Sequence, residues 1–196
     1  NITSNGYIVG PGVDLTGVDL TGVDLTGIRS GGITGTPILP VEYNLTSNGY
    51  IIGPNVTLHS NSTYTVDLSG EDLTGFNFIG LNLNGVIMTN VDLTGILSGS
   101  ITGTPIFTDD AYRLSDYFNY IIGPGINLAG KNLSGSDFSN LDLTGTNLMG
   151  ANLDQATSGN NTGTPYLSTA YSIINGYIIG PNQNLTGADL SGADLT

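Results

Sequence analysis

Cysteine and tryptophan are absent from this chain, and basic residues nearly so. Without cysteine there is no disulfide, no thiol nucleophile and no thiolate metal ligand, so the fold must rest on its core and its backbone ladder. The only basic residues are Arg29, Arg113 and Lys131, set against 16 acidic ones and a formal charge of −13. Three cations cannot make the basic footprint that phosphate neutralisation requires, so binding to nucleic acid of that kind is excluded. His59 is the single histidine and reads as a surface residue, because a zinc site or a catalytic triad needs partners this sequence does not supply. No apolar run approaches the length of about 18 residues that reads as a transmembrane helix, so no membrane insertion is expected. Charged residues make up only 10% of the chain, which leaves most of the surface to Asn, Ser, Thr and Gly.

What is present is a repeat. Residues 13–27 read VDLTGVDLTGVDLTG. A five-residue period suits neither regular backbone. On a helix, successive leucines would step about 140° around the axis, and glycine at every fifth place would weaken it. On a straight strand, an odd period would flip each leucine to the opposite face. The remaining solution is a short extended piece followed by a bend. Val13 and Leu15 then point inward, Asp14 and Thr16 outward, and Gly17 takes the corner. Repeated bends wrap the chain around an apolar axis, and stacked turns pair their backbones about 4.8 Å apart. Burial of each central residue is worth roughly 1.5–3 kcal/mol before ordering entropy.

The pattern returns from Val56 to Pro105, from Ile126 to Pro165 and from Gln183 onward. Its central residues include Leu20, Leu25, Leu68, Leu73, Phe78, Met88, Leu133, Phe138, Leu148, Leu185, Leu190 and Leu195. The frames ADLSG, ANLDQ, KNLSG and VDLTG resemble those of the pentapeptide-repeat proteins, with motif A(D/N)LXX, over about two thirds of the chain. That resemblance implies an all-β fold, a right-handed quadrilateral β-helix with four frames per coil. It implies no particular function, since the family serves many roles. Val, Ile, Leu or Phe replaces the family's alanine at several first inward positions.

A longer repeat punctuates the frames. NGYIVGPG (5–12), NGYIIGPN (48–55), FNYIIGPG (118–125) and NGYIIGPN (175–182) are versions of one segment, and TGTP precedes the last three, at 34–37, 102–105 and 162–165. The expected organisation is one continuous solenoid over 1–196. Pentapeptide blocks occupy 13–37, 56–105, 126–165 and 183–196. Connectors at 1–12, 38–55, 106–125 and 166–182 read as irregular coils of that solenoid, with Tyr-Ile-Ile as a short strand and Gly-Pro as a turn that resets the frame. The blocks hold different numbers of frames. The chain opens in mid-connector and closes in mid-frame, the expectation for a piece of a longer array.

Candidate chemistry is sparse. Asp14, Asp19, Asp24, Asp67, Asp72, Asp92, Asp137, Asp142, Asp189 and Asp194 lie between inward residues. Asp72 and Asp92 would stack in a four-frame coil, where carboxylates can share Ca²⁺. Equivalent positions hold Asn77, Asn82, Asn127, Asn132, Asn147 and Asn152, and the mixture points instead to hydrogen bonding within the stack with like charges kept apart. Asp109, Asp110 and Asp116 form the other candidate ion cluster. Sequons at Asn1, Asn44, Asn55, Asn61, Asn132, Asn160 and Asn184 would accept N-linked glycans in a secreted host. Thr rows (Thr16, Thr21, Thr26, Thr74, Thr94, Thr144, Thr186) have the regularity of an ice-binding face, although the β preference of threonine accounts for them. No catalytic, cofactor-binding or metal residues are assigned, and no enzyme is expected.

The sequence therefore reads as a non-catalytic structural repeat, a segment of an extracellular filament, surface fibre or virion fibre that self-associates or assembles head to tail. The connectors resemble those of pentapeptide proteins from aquatic microbes and their viruses, which fits a location outside the cell or on a cell or virion surface. The alternative is an acidic module that mimics DNA and acts on a gyrase-type topoisomerase, as the family resemblance and the −13 charge imply.

Overall fold

A computed structural model of the chain describes residues 6, 8–58, 65–107 and 111–194. His59, Asn1, Asn61, Asp109, Asp110 and Leu195 lie outside them. The chain divides into two compact units, Asn1–Thr108 and Asp109–Thr196. The described residues contain no helix, and the fold is a right-handed quadrilateral β-helix.

The period of the winding is visible in the bridges. In the first unit Asp67 pairs in parallel with Ile87, Asp72 with Asp92, Asn77 with Leu97 and Asn82 with Thr102. In the second, Asn127 pairs with Asn147, Asn132 with Asn152, Asp137 with Thr157 and Asp142 with Thr162. Each partner lies 20 residues on, which is four frames to a coil. The corner is a β-turn: the Val18 amide donates to the Leu15 carbonyl at 3.0 Å, with Gly17 at φ 69° in the third turn position. A positive φ at that position is what makes glycine the default there. Leu15, Leu20, Leu25, Leu68, Leu73, Phe78, Leu133, Phe138 and Leu148 are buried as the five-residue reading requires. Leu185 and Leu190 depart from it. They are half-buried, because no further coil stacks over them among the described residues.

The TGTP tetrad is a shortened side. Thr34 pairs 20 residues back with Asp14, but Ile38 pairs 19 back with Asp19. The same loss of one residue recurs at Ile106 with Ile87 and at Tyr166 with Asn147. The chain is drawn so tightly onto the coil beside it that a Cβ on Gly35 would lie 2.5 Å from the Thr16 amide nitrogen. One on Gly163 would lie 2.5 Å from that of Thr144.

The connectors at 38–55, 106–125 and 166–182 each contain an antiparallel hairpin, which the frame pattern does not foretell. Strand β1 (Arg29–Ser30) pairs in parallel with β4 (Thr57–Leu58), while β2 (Asn44–Leu45) and β3 (Ile51–Ile52) form the first hairpin. The second pairs β5 (Arg113–Leu114) with β6 (Ile121–Ile122), and the third β7 (Ser172–Ile174) with β8 (Tyr177–Ile179). The Ile-Ile of that segment is thus strand, with the tyrosine included only in β8, but its partner is the segment just before it. Arg29 pairs with Thr57, and Thr157 with Asn184, so the coils that carry the first and third hairpins run to 28 and 27 residues.

Candidate functional site

The Asp and Asn residues of the frames have one local task. Asp72 Oδ1 accepts from the Thr74 amide at 3.0 Å, Asp142 Oδ1 from Thr144 at 2.9 Å, and Asn77 Oδ1 from Ile79 at 3.0 Å. A side-chain oxygen that caps an amide two residues on is an Asx turn, and either side chain supplies that oxygen. This explains the Asp–Asn interchange better than bonding between coils, although Thr157 does donate to Asp137 from the next coil at 3.1 Å. Nor are like charges kept apart, since Asp72 stacks directly on Asp92. Backbone geometry sets the register, and these outward carboxylates are well hydrated.

The hydroxyl and amide of Thr16 hold the Asp14 carboxyl below its ordinary pKa, as Thr21 does for Asp19 and Thr74 for Asp72. The Thr16 and Thr144 hydroxyls donate to Asp14 and Asp142 at 2.6 Å, so these threonines take part in the turn cap as well as facing outward. Among the described residues no group of three or more His, Cys, Asp or Glu side chains converges as a metal site. Asp116 is exposed on the second hairpin, and its two candidate partners lie outside the described residues. Of the sequon asparagines, Asn132 and Asn184 use Oδ1 in Asx turns, Asn44 lies in β2, and Asn55 and Asn160 sit at exposed positive-φ positions.

Two features escaped the sequence reading. In the frame before each TGTP tetrad, serine stands at the central position. Ser30 Oγ accepts from the Ile51 amide, and Ser158 Oγ from the Ile178 amide at 2.9 Å, so each ties a hairpin strand to the coil. Ser98 holds the corresponding place and is buried. The second feature is a tyrosine packed on a glycine across each hairpin: Tyr43 on Gly53, Tyr112 on Gly123 and Tyr171 on Gly180, where a Cβ would fall within 2.3 Å of a ring carbon. Leucine replaced by serine at 30, 98 and 158 was the legible signal for the first.

An ion pair, a cation–ring contact and a ring pair come together beside the second hairpin. Arg113 pairs with Asp137 at 2.7 Å. Burial opposes the charge on Asp137, but the Ser139 amide and hydroxyl, Arg113 and Thr157 outweigh it and hold its pKa low. Lys131 Nζ lies 5.8 Å from the centre of the Tyr120 ring, which also meets Phe118 at 6.4 Å. An open pocket of about 330 Å³ adjoins this cluster, lined by Tyr117, Phe118, Ser134, Gly135, Asp154 and Gln155.

Coils of four sides, mostly five residues long, buried through their central residues and many of them capped by Asp or Asn, define a β-solenoid of the pentapeptide type. The family model for pentapeptide repeats matches residues 66–95 and 125–155, in eight copies, so these two stretches are pentapeptide repeats. A similar solved structure is HetL, a pentapeptide repeat protein involved in heterocyst differentiation regulation from the cyanobacterium Nostoc sp. strain PCC 7120. It is 19% identical, with a TM-score of 0.30, over 84% of this chain and 60% of that one, so the chain spans less than two thirds of HetL's length. No curated protein matches the chain.

Proposed function

We propose that this chain is a non-catalytic structural repeat, a segment of an extracellular filament, surface fibre or virion fibre that assembles with copies of itself. One observation carries the reading. The same punctuation recurs between frame blocks of unequal length: a short TGTP side, then a hairpin closed by tyrosine on glycine. A module with fixed ends and variable length suits a structural element better than a pocket tuned to one substrate. Immunogold electron microscopy of the source organism tests it. Label on elongated surface or virion structures supports the proposal, and label confined to the cell interior overturns it. The acidic face of the frames also favours a second reading, a DNA mimic that engages a gyrase-type topoisomerase. A supercoiling assay in which the protein neither inhibits nor protects the enzyme ends that reading.

A further inference from the structure

We propose that the pocket at the turn of the second hairpin binds the ammonium group of a small organic cation. The inference is independent of the filament reading. The other two hairpins close through small polar residues, Ser47-Asn48-Gly49 and Asn175-Gly176. The turn between β5 and β6 carries Tyr117 and Phe118 instead, 71% and 37% exposed. Closing a hairpin does not require them, and exposing two adjacent rings to water is unfavourable unless something covers them.

The pocket's geometry follows from the winding. The Tyr117 ring rests on the corner at Gly135, where a Cβ would lie 3.0 Å from it. One coil further on, the Gly135 amide donates to the Asp154 carbonyl at 2.8 Å, which places Asp154 and Gln155 over the same corner. Gln155 holds φ 58°, a left-handed conformation that the other frames give to glycine, asparagine or, at one corner, Ser100. It is kept there while bonding Asn182, its amide and its side chain both donating to that carbonyl, at 2.8 and 3.2 Å.

Charge decides the ligand class. This corner contains three acceptors for a cation. Asp137 has Arg113, and the Tyr120 ring has Lys131. The third, Asp154 with the rings of Tyr117 and Phe118, has no basic partner among the described residues, and the Asp154 carboxylate accepts instead from the neutral Asn182 amide at 3.1 Å. Aromatic faces and a carboxylate together are the chemistry that recognises alkylammonium groups. The −13 charge raises the local concentration of cations and repels anions. A volume of about 330 Å³ suits one small ligand.

The test is titration of the full chain with choline chloride, followed by calorimetry and by the ligand's methyl NMR signal, with 3,3-dimethylbutanol as the uncharged isostere. Saturable choline binding is expected, with the alcohol weaker by roughly fivefold or more. Asp154→Asn and Tyr117→Ala should each weaken choline by roughly 3- to 30-fold, while Tyr117→Phe retains affinity because the ring face persists. Thermal midpoints within a few degrees of the parent show that the variants fold. Co-sedimentation with phosphatidylcholine vesicles alongside choline binding assigns the group to a lipid headgroup, and choline binding without it assigns a free cation. No saturable binding, equal binding of alcohol and choline, unchanged affinity in both loss variants, or a preference for glucose over choline overturns the proposal.

Discussion

The corners at Gly150 and Gly163 belong to the same unit and use glycine for different reasons. Gly150, in an ordinary frame, has φ 68° and nothing within 4 Å of where a Cβ would stand. Gly163, in a TGTP side, has φ 76° and the Thr144 backbone 2.5 Å away. The frame corner needs only a backbone conformation. The TGTP corner needs that and an empty space, because one residue has been lost from the side. The frame corner at Gly150 thus has room for a side chain that the TGTP corner lacks.

Substitutions that separate the two corners should have the largest effect. Gly163→Ala is expected to cost about 3 kcal/mol or more, since backbone must move away from the new methyl group. Gly150→Ala should cost only about 1–2 kcal/mol, the strain of a left-handed non-glycine residue. Urea denaturation of both variants checks this, and equal losses would remove the distinction. Next comes the serine that ties hairpin to coil. Ser30→Ala leaves the Ile51 amide without that acceptor in a buried place and should cost about 1–3 kcal/mol, whereas Ser134→Ala on a frame's outer face should stay within about 0.5 kcal/mol. A double-mutant cycle of Tyr171→Ala with Gly180→Ala should show coupling of about 0.5–3 kcal/mol, because the alanine methyl clashes only while the ring is present.

The smallest effect belongs to the turn caps. Folding lowers the pKa of Asp14, Asp19 and Asp24, chiefly through the threonine hydroxyls and amides they accept from. Their contribution is therefore complete above the ordinary value of 3.8 and is lost as pH falls through the lowered folded values. The triple variant Asp14→Asn, Asp19→Asn, Asp24→Asn keeps the acceptor oxygens but cannot titrate. Its thermal midpoint should fall less than the parent's between pH 5 and pH 2, and identical acid profiles would contradict the cap.

These contrasts also explain what could be read from the sequence. A five-residue period with leucine at its centre is incompatible with a helix or a straight strand, so the coils and their core follow from VDLTG alone. The Asp–Asn alternation was visible as well, but its range was misjudged: it serves the turn two residues away rather than the next coil. The hairpins were hidden because their first strands, at 44–45, 113–114 and 172–174, share no apolar pattern with the frames. The tyrosine that marks them stands ten, eleven and nine residues before its glycine. The lost residue at TGTP was hidden too, since the preceding letter completes five and the deficit appears only at the next paired residue. The pocket was illegible for a related reason. Tyr117 and Gln155 lie two coils apart in sequence, and only the winding brings them to one corner.

Register can be measured directly, because a chain without cysteine offers a clean background for engineered disulfides. Outward residues on neighbouring coils lie within the Cα separation that a disulfide spans, about 4.4–6.8 Å. The pair Asp72→Cys, Asp92→Cys should oxidise readily, and after the TGTP side Ile87→Cys should cross-link to Ile106→Cys in preference to Phe107→Cys. Efficient bonding of 87 to 107 instead, or none between 72 and 92, would contradict the 20-residue coil and its single missing residue.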